Sequence, residues 1–225
     1  MVRGKPLDRR QRMRPVKRPR YTAKWVARLR AMVARHTGRP FRTVCLTDQP
    51  EVMPEGVEPV VIANPTDGRG WWAKMNLFDP AMPFDGRVLY LDLDVVVLGD
   101  LAPFIDFPAD FALCADSAPD WQGKKGLRAI KRYNSSCMVW DHKARRRFFD
   151  DFQAEWKAEL WSDQDALALM SPDEATFPED WVVRVRPHSF PFDPAARLGL
   201  CIKWKNNKLL KETDWFGRYW VPNEC

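Results

Sequence analysis

Apolar residues along this chain recur in two rhythms. Over residues 21–36, Trp25, Leu29, Met32 and Val33 fall three and four apart, the spacing that gathers one face of an α-helix. Thr22 stands where an N-cap belongs, and Thr37-Gly38 closes the segment. Short apolar runs at 41–46 and 57–62 read as strands, the first closed by Thr47-Asp48 and Pro50. Residues 72–78 read as a short helix stopped by Pro80 and Pro83. Residues 88–97 are apolar except for Asp92 and Asp94, and so continuous a run belongs in a sheet covered on both faces. Residues 111–114 and 136–140 are further strands, 142–156 and 163–170 helices, and 181–186 alternates as a half-buried strand. Strands alternating with helices predict an α/β sandwich with a largely parallel sheet.

Composition adds a globular body and a separate tail. A chain of 225 residues with 45% hydrophobic positions can bury a core of its own. Residues 1–20 hold nine Lys and Arg against one acid, a charge of +8. The remaining 27 basic and 29 acidic residues leave the body at −2. The expected organisation is a basic flexible arm over 1–20 and a single domain over 21–225. Such an arm is a solvated tail or an electrostatic handle for a polyanion. Tryptophan is abundant at 11 copies, and indole faces suit sugar or base stacking as well as core filling.

The cysteines, Cys45, Cys114, Cys137, Cys201 and Cys225, are scattered and form no Cys-x-x-Cys pair. That excludes a zinc ribbon and argues against a disulfide framework. The N-terminus lacks the apolar segment of a signal peptide, and no run of about 18 apolar residues could span a membrane. The expectation is a soluble cytoplasmic protein.

Two aspartates at the end of an apolar strand are costly without compensation. Period-2 alternation puts Asp92 and Asp94 on one face, where a divalent cation shared with a phosphate would relieve their repulsion. Their hard oxygens suit Mg²⁺ or Mn²⁺. The alternative is a pair of aspartates capping a turn at the sheet edge.

Five blocks, in order, resemble the family 8 type of glycosyltransferase and its small bacterial or viral-like relatives. They are Val44 to Asp48, Gly70 to Lys74, Arg87 to Leu98, Tyr133 to Trp140 and Trp161 to Ala166. The resemblance implies a glycosyltransferase A-type (nucleotide-diphosphosugar transferase) fold, a three-layer sandwich with a mostly parallel central sheet. It implies a metal-dependent, retaining hexosyl transfer from a nucleoside-diphosphate sugar, a UDP-sugar, to an acceptor such as a glycan. By the same resemblance Asp92 and Asp94 ligate the metal, with Asp92 also on the donor. Thr47, Asp48, Lys74, Asn134, Ser135 and Ser136 fall among the donor-binding positions. Asp163, Gln164 and Asp165 are the catalytic candidates, Gln164 or Asp165 stabilising the oxocarbenium-like centre. Read without the resemblance, the same triplet caps a helix, with acids at its favourable end.

The chain departs from that pattern at both ends. The family's opening strand falls on residues 14–21, which carry two prolines and dense charge, a poor central strand. The C-terminal region offers Lys208 for the diphosphate but no histidine, so His188 is the substitute candidate for the third metal ligand. Residues 121–133 add Lys124, Lys125, Arg128, Lys131 and Arg132 with aromatics at both ends, which with the basic arm suits a nucleic-acid acceptor; the alternatives are a solvated loop or one that folds over the donor diphosphate. Two other readings compete: a catalytically degenerate binder of the same fold, and a haloacid dehalogenase-type phosphohydrolase. The second places its Asp-x-Asp on the first strand, whereas about ninety residues precede this one.

Overall fold

A computed structural model describes residues 21–62, 70–116, 130, 132–142, 147–185 and 192–200. Helix α1 (Ala23–His36) buries Val26 and Met32, with Trp25, Leu29 and Val33 packed beside them. The sequence spacing placed that face correctly. Thr22 is the N-cap, yet its hydroxyl makes no capping bond; its carbonyl accepts from Trp25 N at 2.8 Å. Strands β1 (Thr43–Thr47) and β2 (Val57–Val61) pair in parallel.

The centre of the molecule is β6 (Tyr133–Asp141). It lies antiparallel to β3 (Arg87–Leu91) on one side and to β5 (Phe111–Ala115) on the other. Two-residue β7 (Ala175–Thr176) adds to β5 in parallel. A second sheet runs β4 (Val95–Val97), β9 (Leu198–Leu200), β8 (Val182–Arg184), the first pair antiparallel and the second parallel. The four- and three-stranded sheets are therefore mixed, which corrects the mostly parallel central sheet. Alternation records which face a residue takes and not the direction of its neighbour.

Alternation along β5 and β6 divides the interior into two cores. Ala112, Cys114, Cys137 and Val139 face α1, β4 and α2 (Ala102–Ile105), where Met32, Val95, Val96, Val97 and Phe104 complete one cluster. Phe111, Leu113, Met138 and Trp140 face the other way. There they meet a 3₁₀ helix at Gly70–Phe78, α3 (Arg147–Asp150) and α5 (Asp163–Met170). Sheet residues between two helical layers make the three-layer sandwich.

Two predicted elements are interrupted. The run at 88–97 is two strands, because the chain turns at Asp92-Leu93-Asp94 and β4 joins the other sheet. Backbone bonds hold the turn: Asp92 N donates to Ser136 O at 2.8 Å, and Val95 N to Asp92 O at 3.1 Å. The helix expected over 142–156 is described as α3, then an irregular stretch, then α4 (Trp156–Glu159). Phe152 packs against Trp72 at 5.8 Å and against Trp156 at 6.2 Å, so tertiary packing overrides local helix preference there. Among the described residues, no helix is long and apolar enough to cross a membrane.

Candidate functional site

The site forms where β3 ends. The Gly70–Phe78 segment is a 3₁₀ helix of nine residues, in which side chains three apart eclipse one another. Trp72, Met75 and Phe78 form its buried column, and the neighbouring column turns Lys74 toward the end of β3. Lys74 Nζ lies 2.9 Å from Asp92 Oδ1 and 3.0 Å from Oδ2. It also donates to Ser135 Oγ at 3.0 Å and sits 3.9 Å from Asp163 Oδ2.

Ser135 reaches that point because β6 carries a bulge. Leu113 pairs with Met138 but Cys114 pairs with Asn134, so extra residues are accommodated between 134 and 138. Bulges of this kind re-aim side chains. This one puts Tyr133 on the aromatic side, whereas Cys137 and Val139 face the other core. Asn134 Oδ1 accepts from Ser136 N at 2.9 Å and stabilises the turn. Ser135 Oγ then donates to Asp163 Oδ2 at 2.6 Å.

Charge is densely packed here. Burial alone would lower the Lys74 pKa, but the carboxylates of Asp92, Asp163 and Asp94 outweigh it and hold the ammonium above its ordinary value. Burial raises the Asp163 pKa, and Lys74 and the Ser135 hydroxyl pull part of the way back. Tyr90 donates to Asp92 Oδ1 at 2.6 Å, and burial with that neighbouring carboxylate drives its phenol well above the usual range. Tyr21 donates to Asp94 Oδ2 at 2.9 Å.

The triplet at the start of α5 is sorted by its partners. Asp165 is 3% exposed and accepts from Ser162 N at 2.9 Å, Ser162 Oγ at 2.7 Å and Ile130 N at 2.5 Å. Its N3 position reaching back to the N-cap is the acidic half of a capping box. Asp163 is 1% exposed and joins the Lys74 network. Gln164 is the member that keeps partial exposure.

The remaining sequence candidates scatter. Thr47 Oγ1 accepts from Gln49 N at 2.9 Å as a local turn, and Asp48 is exposed beside it. Arg132 is exposed and pairs with Asp173 at 3.4 Å. His188, Lys208, Lys124, Lys125, Arg128, Lys131 and the arm over 1–20 lie outside the described residues. Cys114 and Cys137 are buried free thiols, as their apolar runs implied, and Cys45 is half-buried. Sequence reasoning missed Tyr21 and Tyr90. A hydroxyl two residues from an aspartate was the available signal for Tyr90, whereas nothing local pointed from Tyr21 to Asp94.

Among the described residues, no three His, Cys, Asp or Glu groups gather to hold a metal. The two expected metal ligands that are described, Asp92 and Asp94, are both partly exposed. Among the described residues, the carboxylates of Asp92, Asp163 and Asp94 all act on the Lys74 ammonium. Their hard oxygens fit a divalent cation that takes its other ligands from water or phosphate.

No family model and no curated protein matches the sequence. Solved structures share its fold. The galactosyltransferase LgtC in complex with donor and acceptor sugar analogues is 15% identical over 88% of this chain and 92% of that one, with a TM-score of 0.59. An active-site variant of LgtC with glutamine replaced by glutamate is likewise 15% identical over the same shares, with a TM-score of 0.57. The bifunctional glycosyltransferase WbbM is 14% identical over 79% of this chain and 43% of that one, with a TM-score of 0.51. The chain thus has the α/β fold of A-type glycosyltransferases and resembles the family 8 type, with a mixed rather than parallel central sheet.

Proposed function

We propose that this chain is a glycosyltransferase moving a hexose, with retention, from a UDP-sugar to an acceptor with the help of Mn²⁺ or Mg²⁺. The observation that carries the reading is the acid-rich turn Asp92-Leu93-Asp94, set against Lys74, Ser135 and Asp163 where β3 ends. When bound, the divalent ion supplies charge neutralisation for the departing diphosphate. Asp92 and Asp94 hold it, with a further ligand from His188 or solvent. Lys74 fixes the Asp92 carboxylate and offers its remaining positive charge to a phosphate oxygen; Lys208 is a second candidate for that contact.

Asn134 and Ser136, both partly exposed, are proposed to line the hexose, whereas buried Ser135 and Asp163 hold Lys74 in place behind it. Gln164 is the residue proposed to face the reacting carbon, stabilising positive charge through its amide oxygen. A solved structure of the same fold is described as an active-site glutamine variant, which supports that choice. Asp165 is assigned to holding the helix start rather than to the reaction, because its oxygens already accept three hydrogen bonds. In the transfer, the bond from the sugar carbon to the diphosphate oxygen breaks and one to an acceptor oxygen forms. The electron pair leaves with the diphosphate, and the acceptor proton passes to it or to solvent.

The test is a panel of UDP-, GDP-, ADP- and TDP-sugars incubated with Mn²⁺, read by release of nucleoside diphosphate. Turnover of a UDP-hexose above the others is expected. A Mn²⁺-dependent thermal shift without hydrolysis would favour a degenerate binder, and absence of both with every donor would overturn the donor site.

A further inference from the structure

Two partly exposed tryptophans stack on each other beside this site. The Trp71 and Trp161 rings stack 6.1 Å apart at 29°. The Trp71 indole N–H donates to the Trp161 carbonyl at 3.2 Å. Both side chains keep partial exposure, whereas Trp72, the next residue, is 1% exposed and packs on Phe152. Trp71 packs against the same core cluster as Trp72 but keeps part of its surface open to solvent.

The pair belongs to a ladder between two elements. Trp71 meets Trp161, and three residues on Lys74 meets Asp163, two residues beyond Trp161. In a 3₁₀ helix, residues three apart eclipse and rise about 6 Å. The aromatic rung therefore sits about one pyranose ring's length from the ionic rung, on the same side of the helix.

We infer that Trp71 and Trp161 form a stacking platform for a pyranose ring of the acceptor, next to the position of the transferred sugar. This rests on the donor reading above, in which Lys74 meets the diphosphate and Asp163 holds Lys74 in place. A pyranose presents an apolar C–H face that indole rings bury, and hydroxyl edges that carboxylates and amides bind. The indole hydrogen bond fixes the Trp71 ring before the ligand arrives, which lowers the ordering cost of binding.

The test uses the full chain with Mn²⁺ and UDP, and methyl β-galactopyranoside and methyl β-glucopyranoside as probes, read by saturation-transfer NMR. Saturation is expected on the C–H protons of one face of the ring. Trp71→Ala and Trp161→Ala should each weaken probe affinity about tenfold. Trp161→Phe, which keeps a flat ring, should retain most of it, and Trp161→Leu, which keeps apolar volume without a ring, should not. Unchanged affinity in the alanine variants overturns the platform. So does a wild-type chain that contacts neither glycoside but binds a DNA or RNA oligonucleotide. The donor reading fails separately: probe contact without hydrolysis of any sugar nucleotide removes the donor and leaves the platform, whereas hydrolysis without probe contact removes the platform alone.

Discussion

Asp92-Leu93-Asp94 and Asp163-Gln164-Asp165 have the same spacing of acids and opposite surroundings. The first pair lies partly exposed in a turn and accepts from groups on long side chains, Lys74, Tyr90 and Tyr21. The second pair is 1% and 3% exposed, and Asp165 accepts from two backbone N–H groups and a neighbouring hydroxyl. Side-chain donors can swing aside for a ligand; backbone donors cannot. Acids with identical spacing thus divide into a site able to exchange partners and a fixed support for it. Asp163 stands between the two, buried like the support but wired to Lys74 through Ser135.

That division is open to direct attack. The largest effect is expected at the exchangeable pair: Asp94→Asn should lower sugar-nucleotide turnover about a thousandfold. Its denaturation midpoint should move little, because asparagine keeps an oxygen to accept the Tyr21 hydroxyl at this partly exposed position. A variant that keeps full turnover would remove Asp94 from the site. The mirror case is Asp165→Asn, which leaves buried donors facing an amide that cannot satisfy them all. Urea denaturation should show a loss of about 2 kcal/mol, and a stability equal to wild type would show that the buried bonds at Ser162 and Ile130 are dispensable.

The smallest effect concerns pH. Lys74 and Tyr90 both have pKa values raised on folding, from 10.5 and 10.0 respectively. The native state then keeps protons that the unfolded chain has released, so stability is full below about pH 10 and falls as pH rises toward the folded values. The double variant Lys74→Met, Tyr90→Phe should unfold with a flatter alkaline limb, measured as melting temperature between neutral and strongly alkaline pH. An unchanged limb would place the alkaline sensitivity elsewhere.

Much of the frame was legible along the chain. Four apolar residues at helical spacing marked the face of α1, and the apolar runs marked β1, β2, β3, β5, β6 and α5. These signals are strong because each reports burial of a whole face. The candidate site was legible by residue type at Lys74, Asp92, Asp94, Ser135 and Asp163. It was not legible in its wiring. Tyr21 is 73 residues from Asp94, and a phenol inside an apolar run, as at Tyr90, reads as core until its hydroxyl is seen to meet a carboxylate.

The sequence by itself determined which residues are apolar on which face, and where acids interrupt those faces, because local periodicity follows from backbone geometry alone. The tertiary structure decided where the run at 88–97 breaks, how the strands are directed and which acid is free to change partners. Each of those depends on a bond between distant segments: Asp92 N–H on Ser136 O, β6 between β3 and β5, Ile130 N–H on Asp165. A buried carboxylate takes its role from whichever donors the fold brings to it, and spacing along the chain cannot name them.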